Sequence, residues 1–187
     1  MAGGTDENEV CWYAMRDLSR PHSRTPAYKL LTEEKVTFFT PMTKKTSVRR
    51  GKRIISEVPF IHDLIFIHDC SKNIDILLHK LKRLQYRFQK GFKNKRIIVP
   101  EEEMTSFLEF VNSSPSSQYI SSDEITPNMI GAHVKILKGE LAGYEGNLLA
   151  IKGSKKKRLL VQLPQLLAAA VEIDSDSFEI IDTNHKS

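Results

Sequence analysis

The stretch Gly131-Ala-His-Val-Lys-Ile-Leu-Lys-Gly-Glu-Leu-Ala-Gly-Tyr-Glu-Gly146 sets how the C-terminal part of this chain folds. Val134 and Ile136 alternate with His133 and Lys135, the period of a half-buried strand. Gly139, Gly143 and Gly146 punctuate the segment after this strand. Glycines there allow positive φ and let two backbones approach closely. Residues 148–151 then resume as strand, Gly153-Ser-Lys155 turns, residues 159–163 return, and residues 170–173 make a last strand. Short strands at this spacing predict a small all-β barrel, here placed at residues 125–182.

A polar run, Asn112-Ser-Ser-Pro-Ser-Ser-Gln118, separates this block from the residues before it. It is too poor in apolar residues to enter a core and reads as a linker, taken here as residues 112–124. Tyr119 and Ile120 interrupt the polarity and are expected to dock on a domain. Residues 10–111 form the other unit, and no internal repeat runs through the chain.

The first unit alternates strand and helix. Val10-Cys-Trp-Tyr-Ala-Met15 reads as a strand. Thr25-Pro26 resembles a helix cap followed by proline at the first helical position. Residues 36–40 are a strand that stops at Pro41. Residues 46–48 and 54–55 flank Arg49-Arg-Gly-Lys-Arg53, a hairpin with a basic tip. Phe60 through Ile67 reads as a buried strand. Ser71 is the expected cap of a helix whose Ile74, Leu77, Leu78 and Leu81 share one face. A short strand is expected at Tyr86–Gln89. Pro100-Glu-Glu-Glu103 opens a last helix with acids at its positive end, and Met104, Phe107, Leu108 and Val111 form its buried stripe. The fold class is therefore α+β, an α/β sandwich with a mostly antiparallel sheet followed by the small barrel.

Charge is uneven along the 187 residues. Residues 10–111 carry 20 Lys and Arg against 11 Asp and Glu, a balance of +9, whereas residues 125–187 carry 8 against 7. The basic character belongs to the first unit and points toward a polyanion, although a solubilising surface gives the same count. No apolar run approaches the length of a membrane span, and the acidic start lacks a signal-like apolar core. A cytoplasmic protein that does not engage membranes is expected. Cys11 and Cys70 lack metal-type spacing and read as reduced thiols.

A Trp-Tyr strand, a helix, the strand ending in Thr40-Pro-Met42, the Arg50-Gly-Lys-Arg53 turn and Val99-Pro100 before the last helix resemble an NGN domain. That is the N-terminal domain of the NusG family of transcription elongation factors. The glycine-punctuated block resembles the KOW barrel that comes after it in that family, with Gly146 at the characteristic glycine. Among its members, the Thr-Pro-Met and Arg-Gly-Lys-Arg segments are similar to the specialised RfaH and UpxY types, the latter regulators of capsular polysaccharide operons. The resemblance spans about residues 10–182.

It implies a non-enzymatic elongation and antitermination factor that needs no cofactor. The NGN domain of such factors packs an apolar depression on the clamp helices of RNA polymerase, near the upstream DNA fork. Such a contact shifts the enzyme toward its elongating state. The matching run here is Phe60-Ile-His-Asp-Leu-Ile-Phe66. Leu64 and Phe66, apolar on one face at period two, are the candidate polymerase contacts; ordinary sheet core is the competing reading. Arg49, Arg50, Lys52 and Arg53 are the candidate nucleic-acid contacts, either at DNA of the transcription bubble or as a solvated tip. The KOW barrel implies a ribosomal small-subunit protein or Rho as partner. Leu141 matches an apolar family contact, and Pro164 and Gln165 fall where the family can show an apolar–aromatic pair. Leu166-Leu-Ala-Ala-Ala170 has high helix propensity, but Val171-Glu-Ile173 favours strand. A KOW-containing RNA-binding or ribosome-associated protein is the alternative function.

Ile61-His62-Asp63 and Ile67-His68-Asp69 repeat a tripeptide that suggests a metal site. On one strand the histidines would lie about 20 Å apart, too far to share an ion. Lys155-Lys-Lys-Arg158 is a second basic turn, read as a solvated loop. No Walker loop or nucleophile elbow occurs.

Overall fold

The computed structural model describes residues 7–181, apart from 22, 93, 152 and 155. The chain divides into two compact units at Glu101/Glu102.

The first unit runs β1 (Val10–Asp17), α1 (Ala27–Glu33), β2 (Phe38–Phe39), β3 (Met42–Arg49), β4 (Lys52–Pro59), β5 (Leu64–Cys70), α2 (Ser71–Leu81), β6 (Leu84–Tyr86) and β7 (Ile98–Val99). The main sheet has the order β2-β5-β1-β6, with β7 also on β1, and every pairing is antiparallel. Strand β1 is central: it registers with β5 from Val10↔Cys70 to Arg16↔Leu64, and its other edge is shared by β6 and β7. Period-two alternation then sorts its side chains. Tyr13, Met15, Ile65 and Ile67 face a core closed by Ala27 and Leu31 of α1 and Ile74 of α2.

Both helix starts differ from the sequence expectation. Helix α1 is capped from a distance: the Asp17 carboxylate accepts the Ala27 N–H at 2.9 Å and the Ser19 N–H at 2.8 Å. Pro26 occupies the cap position itself, and it supplies no side-chain acceptor. Ser71 is the first residue of α2 rather than its cap, which is Cys70. Strand β5 begins at Leu64, not Phe60, because the preceding residues turn: the Leu64 N–H donates to Ile61 O and the Phe60 N–H to Pro41 O. His62 is consequently exposed on a bend and does not share a strand with His68.

The second unit holds α3 (Glu101–Ser113, clustering from Glu102 onward), β8 (Gln118–Ser121), β9 (Ile130–Ile136), β10 (Glu145–Leu149), β11 (Lys157–Leu163), β12 (Leu167–Ile173) and β13 (Phe178–Ile180). Its six-stranded sheet has the order β13-β9-β10-β11-β12-β8, all antiparallel. Part of the expected linker is therefore a strand: Tyr119 and Ile120 dock, as expected of them, by pairing with Ala169 and Ala168 of β12. Helix α3 clusters with this unit, where Phe110 meets Tyr144 edge-on with ring centroids 5.7 Å apart. The buried stripe of α3 is Met104, Phe107 and Phe110, while Leu108 and Val111 are only half-buried. The Ala-rich run is strand, as its seven-pair register with β11 outweighs its helix propensity.

Gly146 is required by close approach rather than by φ. A Cβ at this position would lie 2.5 Å from the backbone oxygen of Leu160 on the neighbouring strand. No helix among the described residues is long and apolar enough to cross a membrane.

Candidate nucleic-acid interface

Strands β3 and β4 form a two-stranded sheet of their own, paired without a break from Met42↔Pro59 to Arg49↔Lys52. Eight residues per strand make an arm roughly 25 Å long. Its turn is Arg50-Gly51, with φ of 51° and 74°. Two consecutive positive φ values are the signature of a type I′ turn, whose twist matches that of the strands. Opposed residues share a face, so Val48/Arg53 and Thr46/Ile55 lie on one side and Arg49/Lys52 and Ser47/Ile54 on the other. One face of the tip thus carries Arg53 beside Val48 and Ile55, and the other Arg49 and Lys52 beside Ile54.

The arm is exposed nearly throughout. Val48 and Ile55 are each 68% accessible, unusual for β-branched aliphatic residues in a strand. Residues 42–59 hold six Lys and Arg against one Glu. Arg49, Arg50, Lys52 and Arg53 are thereby concentrated on one turn. Like charges so close repel, and the arrangement favours an anionic partner. Sequence reading located this tip but not the length of the arm, whose lower part, Thr43-Lys-Lys45 and Ser56-Glu-Val58, has no consistent apolar alternation.

Leu64 and Phe66 occupy the sheet face opposite Ile65 and Ile67, and they are 1% and 0% exposed. Phe66 stacks on Phe39 at 6.0 Å, and the Thr40 hydroxyl donates to Leu64 O at 2.8 Å. The expectation of a surface contact pair is corrected here. Both side chains are core in this conformation, because β5 has neighbours on both edges and the face they share is covered. Just before them, Asp63 accepts from Arg16 at 3.0 Å and Arg87 at 2.9 Å, fixing the turn into β5.

His68 is held by Trp12, whose ring stacks on it at 4.6 Å, and by Glu101, whose carboxylate lies 3.0 Å from Nε2. Among the described residues no group of His, Cys, Asp and Glu could hold a metal ion. Cys11 and Cys70 sit on adjacent rungs of β1 and β5 with side chains on opposite faces, so they cannot bridge. Burial, first, and then Glu9 and Glu101 push the Cys11 thiol up, which keeps it protonated.

In the second unit, Leu141 lies half-buried in the β9–β10 turn, while Pro164 and Gln165 are exposed in the β11–β12 turn. In an antiparallel meander these two turns emerge at the same end of the sheet, since alternate connections share an end. The β10–β11 turn emerges at the other end. There Lys156 and Arg158 both bind Glu172, at 2.7 and 3.2 Å, and these hydrogen bonds hold its carboxyl below the usual range. Lys155 lies outside the described residues.

A family profile described as transcription termination factor NusG matches residues 10–108. No curated protein matches the sequence. Among solved structures, one described as domain interaction in Thermotoga maritima NusG is similar at 11% identity and a TM-score of 0.43, covering 95% of this chain and all of that one.

Proposed function

This chain belongs to the NusG family of transcription factors, whose members bind RNA polymerase, and we propose that it is a specialised regulator of the RfaH or UpxY type acting on polysaccharide operons. In this reading the chain binds the transcribing enzyme, favours processive elongation and carries out no covalent chemistry. The polymerase-binding part is residues 10–111 and the KOW domain residues 125–182; residues 112–124 lead from one to the other, with β8 paired to the sheet of the second unit. Leu64 and Phe66 act from within, as the buried support of the polymerase-binding face. The arm's Arg49, Arg50, Lys52 and Arg53 reach DNA at the edge of the transcription bubble. The KOW domain takes a ribosomal small-subunit protein or Rho at the end that carries Leu141, Pro164 and Gln165.

The observation that supports this reading most is a basic arm of eight paired rungs within the span matched to the family. Phosphate contacts from such a tip add affinity without demanding a base sequence. The test is capture by immobilised full-length chain from matched solutions of core RNA polymerase and of ribosomes. Retention of polymerase is expected, with ribosomes retained as well if the KOW domain takes the ribosomal partner. Retention of ribosomes alone would replace this reading with the ribosome-associated one.

A further inference from the structure

A second basic feature lies in the first unit, apart from the arm, between β6 and β7. Residues 76–100 contain eight Lys and Arg and no Asp or Glu. Within them Tyr86-Arg-Phe-Gln-Lys-Gly-Phe92 interleaves aromatic rings with cations. The backbone closes a turn here: Phe88 bridges Arg96, the Gln89 N–H donates to Lys95 O at 2.8 Å, and the Ile97 N–H donates to Arg87 O at 2.8 Å. Gly91 and Asn94 take positive φ of 85° and 63°, residue types that tolerate it.

This turn presents rings to solvent. Phe88 is 43% exposed and Phe92 60%. A single exposed phenylalanine means little, but two within five residues, set among cations, form a pattern. Lys95 lies 5.3 Å from the Phe92 ring centroid, and Arg96 covers the Tyr86 ring at 4.0 Å. Several of the neighbouring cations are already engaged: Arg87 by Asp63, Arg96 by Asp75 and Arg83 by Thr25. Lys90 and Lys95 are exposed and make no ion pair among the described residues.

We propose that the Phe88–Arg96 turn binds single-stranded RNA, with Phe88 and Phe92 stacking on bases and Lys90 and Lys95 on the flanking phosphates. Exposed rings with adjacent ammonium groups match an unpaired strand, whose base faces are open, and not a duplex, whose faces are stacked away. RNA is the nucleic acid whose loops and ends offer such splayed bases. The arm differs in kind: its exposed apolar residues are aliphatic, so it meets phosphates without stacking. The RNA site does not depend on the polymerase reading, and each can fail without the other.

The test is titration of the full-length chain with a labelled twelve-nucleotide oligouridylate, its oligothymidylate counterpart and a DNA duplex. The RNA is expected to bind most tightly. F88A and F92A should each weaken it about tenfold or more, the range for removing one stacked base. K90Q with K95Q should reduce the salt slope by about 1.4 for two single-strand phosphates. Unchanged RNA affinity in F88A/F92A would overturn the proposal, as would duplex bound as tightly as RNA or thymidylate bound more tightly. Circular dichroism checks the fold of each variant. F92W in the otherwise unaltered chain gives an independent reading: quenching by the RNA supports stacking, and its absence contradicts it.

Discussion

Strand β5 and the β3–β4 arm are neighbours in sequence, similar in length and both rich in β-branched residues, yet they meet opposite fates. Leu64 and Phe66 are sealed in the core, while Val48 and Ile55 stand in solvent. Local sequence does not separate them, since each has aliphatic residues at strand spacing. Pairing does. Strand β5 has β1 on one edge and β2 on the other, whereas among the described residues β3 and β4 have only each other. A strand's burial is decided by what lies beside and over it, and an apolar residue on an unsupported ribbon remains exposed. In this molecule the sheet carries the core, and the arm is left exposed as the element proposed for encounter.

The contrast is most vulnerable at Phe66. F66A should cost about 3–5 kcal/mol of stability, the range for emptying a buried aromatic site. Denaturant unfolding reads this directly, and a loss below about 1 kcal/mol would return Phe66 to the surface. A smaller effect is expected in the second unit, at Gly146. G146A places a methyl against a backbone oxygen that cannot swing aside, at a cost of about 1–3 kcal/mol. Thermal unfolding should show it, and a neutral result would mean that β10 and β11 can separate at little cost. The mildest change belongs to the arm. I55T keeps the β-branched shape and should change stability by no more than about 0.5 kcal/mol. A larger drop would show that the arm rests on something.

Where local chemistry fixes a feature, the sequence was enough to read it. Glycine spacing and alternation foretold β9 to β12, and the segments 46–48 and 54–55 on either side of Arg49–Arg53 marked the hairpin, where Gly51 takes one of the two positive φ values. What escaped depended on distant partners. The start of β5 is set by Asp63 gripping Arg16 and Arg87, and the cap of α1 comes from Asp17, ten positions before the N–H it receives. Phe110 was missed on α3, where Leu108 and Val111 fit the expected stripe equally well. The candidate site was half legible. Its basic tip is a run of adjacent charges, while the burial of Leu64 and Phe66 is a property of the whole sheet. The Phe88–Arg96 turn has no apolar period, and only its closed backbone makes it a feature.

Whether the arm, and not the Leu64–Phe66 face, is the exposed binding element is decided by salt dependence. The variant R49Q/R50Q/K52Q/R53Q and the parent chain are titrated against an assembled elongation complex over a range of salt concentrations. The variant should unfold at the parent's temperature, bind more weakly, and show a slope flatter by about 0.9 for each duplex phosphate it no longer neutralises. A folded variant with the parent's affinity and slope would contradict this role for the arm.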